Sequence, residues 1–100
     1  MGELNIDPSL LRSVANNLSK TLLTFEVIIR NMSRIEQEIP SAWTSEYTDM
    51  YLEKFNEVKG KVQTTKDNLS NIQSGLLRAA TQVEDLERSL IQDMAQSDAD

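Results

Sequence analysis

The chain has 100 residues, ten Lys and Arg against sixteen Asp and Glu, and a formal net charge of −6. It holds no Cys and no His, which removes the thiol nucleophile, the disulfide framework, the imidazole base and the usual zinc site. No apolar run nears the roughly 20 residues of a membrane span, the start MGELNIDPSLL lacks the basic and apolar regions of a secretory signal peptide, and an acidic balance without a basic, aromatic patch argues against nucleic acid.

With three Gly and two Pro, the chain should consist of long uninterrupted elements. Asp7-Pro8 reads as an N-cap followed by proline at the first helical position. A first helix is expected over about 8–38, with Pro40 stopping it, since proline lacks an N–H and disfavours helical geometry just before it. A turn is expected over 39–45. Thr44 or Ser45 caps a second helix over about 45–93, with Glu46 and Asp49 in its first turn to complement the dipole. Gly60 and Gly75 lie inside that helix, each at a cost of about 1 kcal/mol relative to Ala, which a long packed helix tolerates.

A seven-residue ruler supports both helices. In the first it passes through Leu11, Leu18, Phe25, Met32 and Ile39, with Val14, Thr21, Ile28 and Ile35 as the companion row. In the second it passes through Phe55, Val62, Leu69, Leu76, Val83 and Leu90, with Tyr51, Val58, Thr65, Ile72, Ala79 and Leu86 as companions. A seam sustained this long means helices packed at shallow angles, and the short link makes them an antiparallel hairpin. At 1.5 Å per residue the helices are about 45 and 70 Å long, so the second overhangs from near residue 77. Helix 1 has more apolar surface than one seam needs: Ala15, Leu22 and Ile29 flank it, and Leu10, Leu23 and Val27 add to it. The expected fold is therefore all-α, a hairpin domain over 1–94 that pairs into a four-helix bundle as a dimer. Leu18, Leu22, Phe25 and Ile29 are the candidate dimer interface.

Charge is unevenly placed. Residues 84–100 set Arg88 against six acids and hold five of the six net negative units. Residues 95–100 are too polar to pack and are expected as a disordered acidic tail. Over 83–93, Val83, Leu86, Leu90 and Ile91 continue an apolar stripe that has no partner in helix 1.

No catalytic residue, cofactor or metal is assigned. The carboxylate pairs, such as Glu53 and Glu57, would sit on a solvated helix face without the desolvated cleft that raises a catalytic pKa. Serines have no His for a triad, and no Gly-rich phosphate loop occurs. Lys54, Lys59, Lys61 and Lys66 are interleaved with Glu57 and Asp67, a mixed surface rather than a phosphate track. The single Trp, Trp43, lies in the link. There it can clamp the two helix ends, or stand out as an anchor for a partner.

Length, two helices, and Trp43-Thr44-Ser45 in the turn followed by Tyr47, Tyr51 and Phe55 at four-residue steps resemble the WXG100 family, the early-secreted-antigen-like substrates of the type VII (ESX) secretion system. Ser45 stands where that family usually has Gly. Serine can cap a helix there, whereas a left-handed backbone would cost more than with Gly. The family's export signal, Tyr-x-x-x-Asp/Glu, has its counterpart at Val83 to Glu87, with Val in place of Tyr.

The resemblance implies a non-enzymatic protein made in the cytoplasm of a Gram-positive bacterium. It would be exported folded to the medium or cell surface by the secretion ATPase, without a cleaved signal peptide. It implies a homodimer, or a heterodimer with a related WXG protein. Some similar proteins instead escort a larger secreted toxin by binding its helical N-terminal domain, and an incomplete signal fits that alternative. A cytosolic coiled-coil adaptor, whose heptads merely imitate the family, is the reading from a different class.

Overall fold

The structure, a computed structural model, describes residues 5–99. Two helices account for nearly all of it: α1 over Pro8–Ala42 and α2 over Thr48–Ala99. They form an antiparallel hairpin 84 Å long and 26 by 16 Å across. Among the described residues there is no strand. Asp7 caps α1 as the dipeptide Asp7-Pro8 predicts: its Oδ1 accepts from the N–H groups of Ser9 (3.0 Å) and Leu10 (3.3 Å), with Pro8 in the first turn.

Several boundaries differ from expectation. Pro40 does not stop α1, which runs to Ala42. In the last turn the ring removes only the bond to the Glu36 carbonyl, and the Trp43 N–H still closes the helix on the Ile39 carbonyl at 2.9 Å. The turn is therefore 43–47, and α2 starts at Thr48, not 45. Because α1 is longer, pairing reaches Glu84, and the overhang begins beyond it rather than near residue 77. Residues 95–99, expected as part of a disordered tail, continue α2, and Asp100 lies outside the described residues.

The seam follows the ruler in one row and departs from it in the other. Leu11, Leu18, Phe25, Met32 and Ile39 are half-buried, as are Phe55, Val62, Leu69, Leu76 and Val83. The companion rows are shifted by one residue. On α1 the companions are Ala15, Leu22, Ile29 and Glu36, while Val14, Ile28 and Ile35 remain 41–42% exposed. On α2 they are Leu52, Lys59, Lys66, Gln73 and Ala80, while Tyr51, Val58 and Ile72 are half exposed. Among the described residues only Ala15 and Ala80 are fully covered apolar side chains, since two helices cannot enclose a large one.

Lysine and glutamine enter the seam because α1 offers each a partner. Lys59 Nζ lies 3.0 Å from Glu36 Oε2, and Lys66 Nζ lies 3.4 Å from Glu26 Oε1. Gln73 Nε2 donates to the Ala15 carbonyl (2.8 Å) and to Ser19 Oγ (2.6 Å). The Lys stems cover apolar surface while the ammonium groups stay at the edge. Glu36 Oε2 is buried and accepts no hydrogen bond, so its contact with Lys59 is Coulombic.

These placements give the hairpin two unlike sides. In an antiparallel pair the row preceding the seam on one helix lies beside the row preceding it on the other, and the following rows likewise meet. The following rows carry Arg12, Ser19, Glu26 and Ser33 with Asn56, Gln63, Ser70 and Glu84; Leu77 is the apolar exception. The preceding rows carry Val14, Thr21, Ile28 and Ile35 with Tyr51, Val58, Thr65, Ile72, Ala79 and Leu86, without a charge.

The ion pair at Glu36 can be tested. Lys59→Met is expected to destabilise the hairpin by about 1–2 kcal/mol, because it leaves a half-buried carboxylate unpaired. Adding Glu36→Leu is expected to restore most of the loss. Urea midpoints of the two variants check both.

Candidate functional site

Three surfaces remain unoccupied by the hairpin's own packing: the apolar side, the turn and the overhanging part of α2. Leu18, Leu22, Phe25 and Ile29, the expected dimer interface, are half-buried in the seam against α2. The apolar side chains left exposed on α1 are instead Leu10, Val14, Leu23, Val27, Ile28 and Ile35.

The turn is built around Thr48, whose residue is only 7% exposed. The Ser45 N–H donates to Thr48 Oγ1 (3.0 Å), and the Thr48 hydroxyl donates to the Trp43 carbonyl (3.1 Å). The Tyr47 N–H donates to Ser45 Oγ (3.1 Å), and the Thr48 N–H to the Ser45 carbonyl (3.3 Å). Ser45 thus acts through both its backbone and its hydroxyl in starting α2. Thr48 is the turn-organising residue that sequence reading missed; its signal is the Ser-x-x-Thr spacing, which permits such a cap. No residue among those described has positive φ, so Ser45 is not in a glycine conformation.

Trp43 ends α1 with extended backbone (φ −147°, ψ 116°). Its ring packs on Tyr51 in the first turn of α2, centroids 5.0 Å apart and planes tilted by 54°. It joins the helix ends on one face only and stays 40% exposed. Tyr47, Met50 and Tyr51 stand exposed around it.

At the other end, Arg12 Nη2 donates to Thr81 Oγ1 (3.2 Å) and forms a charge-assisted hydrogen bond with Glu84. That bond holds the Glu84 carboxyl below the usual carboxylate range, against a smaller desolvation effect in the other direction. Val83, one residue earlier, is half-buried in the seam, whereas Glu87 is exposed. The two border a hollow of about 200 Å³ with Ile6, Leu86 and Leu90. Beyond it Leu86, Leu90, Ile91 and Met94 are open to solvent.

A larger, open groove of about 530 Å³ on the polar side is lined by Glu26, Ile29, Arg30, Gln63, Lys66 and Asp67. It carries charges of both signs, and Lys66 is paired with Glu26. Among the described residues no cluster of His, Cys, Asp and Glu could hold a metal ion, and no helix is long and apolar enough to cross a membrane.

The geometry defines a class: a small helical hairpin whose free surfaces suit contacts with other proteins. The family model described as proteins of 100 residues with WXG, WXG100, matches residues 3–88. The chain belongs to this family, and the matched stretch includes Trp43-Thr44-Ser45 of the turn. The family is one of small helical type VII secretion substrates, is not known for enzymes, and its members typically pair with partners. No curated protein and no solved structure matches the chain.

Two outcomes follow from these sites. Ser45→Gly, which restores the family's usual residue, is expected to lower thermal stability by the equivalent of only about 0.3 kcal/mol, because it deletes the hydroxyl that caps α2 while glycine is itself an acceptable N-cap. Thermal melts of the two proteins check this. Glu84, with its pKa depressed by Arg12, contributes stability that is full above its ordinary carboxylate range and lost as pH falls through the depressed value. Glu84→Gln is expected to destabilise at neutral pH, with the difference from the parent shrinking on acidification. Urea midpoints measured down to acidic pH read the change directly.

Proposed function

We propose that this protein is a small secreted substrate of a type VII secretion system that acts through protein contacts as a helical dimer. The family match over residues 3–88 supports the export route. The observation that carries the dimer is the one-sidedness of the hairpin: a charge-free apolar side opposite a polar side that holds the cross-helix pairs. A compact folded monomer of 11.3 kDa exposes roughly 5,700 Å², whereas this chain exposes 7969 Å². Covering the apolar side with another hairpin gives a four-helix bundle and removes part of that excess.

In this reading the dimer interface lies mainly on Val14, Ile28, Ile35, Tyr51, Val58 and Ile72. Leu18, Leu22, Phe25 and Ile29 contribute only what the seam leaves uncovered. Val83 and Glu87 are the segment the secretion ATPase reads. The protein leaves the cytoplasm of a Gram-positive bacterium without a cleaved signal peptide and reaches the medium or cell surface.

A second reading is favoured by one observation. Val83, which stands where the family signal has Tyr, is half-buried in the seam and presents no exposed aromatic ring. A partner carrying the complete signal, such as the helical N-terminal domain of a larger toxin, would then lead export, with this chain as its escort.

Export separates these readings. In a strain with an active type VII system the protein is expected in the culture medium and absent from it when the secretion ATPase is deleted. Glu87→Ala, or truncation after Glu84, is expected to retain the protein in the cell while helical circular dichroism persists. Recovery only from cell pellets would sink export, and continued export of both variants would remove 83–87 as the signal. Export only when a toxin is co-expressed would favour the escort.

A further inference from the structure

The seam row of α2 that holds Lys59, Lys66, Gln73 and Ala80 continues at seven-residue spacing to Glu87. Glu87 therefore stays on the α1 side of α2 only while the helix runs unbroken through residues 80–87. At that end the polar grip of α1 on α2 comes from one side chain. Val83 and Glu84 are the last half-buried residues of α2, and every residue from 85 to 96 is exposed. Arg12 is the one cation of residues 5–19. Its Nη2 donates to Thr81 Oγ1 (3.2 Å) and to the Glu84 carboxylate, which lie about one turn apart on the same face of α2. A guanidinium shared by two groups at that spacing fixes the rotation of the helix as well as its distance.

Beyond this clamp α2 runs as a single helix to Ala99. A helix of that length is marginal in water without tertiary contacts, so it draws its order from the turn that precedes it. The clamp also keeps one wall of the hollow in place. Ile6 stands immediately before the Asp7 cap and lines the hollow with Val83, Leu86, Glu87 and Leu90. Were α2 to swing away from Arg12, Ile6 and Glu87 would part.

We propose that Arg12 is a positioning residue for the segment 83–87: by holding Thr81 and Glu84 it keeps that segment helical and turns Glu87 toward Ile6. Arg12 acts through Glu84, 72 positions away in the chain, without itself touching the secretion ATPase. The inference rests on the export reading and adds to it that recognition draws on both ends of the hairpin.

Amide hydrogen exchange on the full-length protein tests the clamp. Arg12→Glu is expected to speed exchange about threefold or more over residues 82–92 and to leave residues 55–70 unchanged. Adding Glu84→Arg, which restores the pair with its charges reversed, is expected to bring back the slow exchange. Unchanged exchange in Arg12→Glu, equal loss along the whole of α2, or no recovery in the double variant overturns the clamp. Export reads the consequence. In a strain that secretes the parent, Arg12→Glu is expected to lower the amount in the medium several-fold. Lys66→Met, which breaks a cross-helix ion pair in the middle of the hairpin, is expected to leave that amount unchanged. Normal export of Arg12→Glu, or equal loss in Lys66→Met, overturns the positioning role. If the parent is not exported, the export reading fails by itself, and exchange still decides whether Arg12 orders the segment.

Discussion

The contact on which the structure depends is the single seam between α1 and α2, and the side toward which that seam is turned. A helix with apolar residues in three adjacent rows can bury only two of them against one partner. On α1 the rows of Val14 and of Ala15 are both apolar enough to be chosen. The hairpin buries the Ala15 row, and the Val14 row is left as a flank. A shift of one row on α1 would have buried Val14, Ile28 and Ile35 and left Ala15, Leu22 and Ile29 on the opposite flank.

What decides the choice is polar. The companion row of α2 holds Lys59, Lys66 and Gln73 at seven-residue spacing, and each meets a group of α1 that only this rotation brings near. Pairs of this kind at a half-solvated edge add little stability, of the order of 1 kcal/mol or less each. Their effect is on register, because sliding one helix by a turn parts all of them together. Register in turn sets the overhang. Asp7 fixes where α1 begins, Arg12 one turn later meets Glu84, and the rest of α2 has nothing opposite it. A capping residue near one end of the chain thereby determines how much of the other end is free.

The two-helix hairpin was legible in the sequence, because a seven-residue repeat and two prolines leave few alternatives, although the turn lies at 43–47 and not at 39–45. The second seam row was not. A ruler that accepts only apolar residues passes over Lys59, Lys66 and Gln73 and selects Tyr51, Val58 and Ile72, which the structure leaves half exposed. The partners that make those lysines acceptable, Glu26 and Glu36, sit 40 and 23 residues away, beyond any local pattern. Pro40 was read too strictly, since near a helix end it costs one bond instead of a whole turn. Of the candidate residues, Trp43 and Ser45 lie in the turn, yet the buried residue whose hydroxyl organises it is Thr48.

The distribution of charge gains meaning from the same geometry. The body of the hairpin is nearly neutral, and Glu26, Glu36 and Glu84 are engaged across the helices, whereas beyond Glu84 Asp85 pairs only with Arg88 of its own helix and Glu87 and Asp93 are exposed. Val83 is the last apolar seam residue, Glu84 is held by Arg12, and Glu87 is one turn further out and free. The boundary between what the hairpin uses and what it leaves available therefore falls inside the segment proposed as the export signal. A chain whose helices were unpaired or out of register would present Glu84 and Glu87 alike, without a hollow beside them. Recognition of Glu87 next to Ile6, Val83 and Leu90 would then depend on the folded hairpin, and not only on a stretch of sequence.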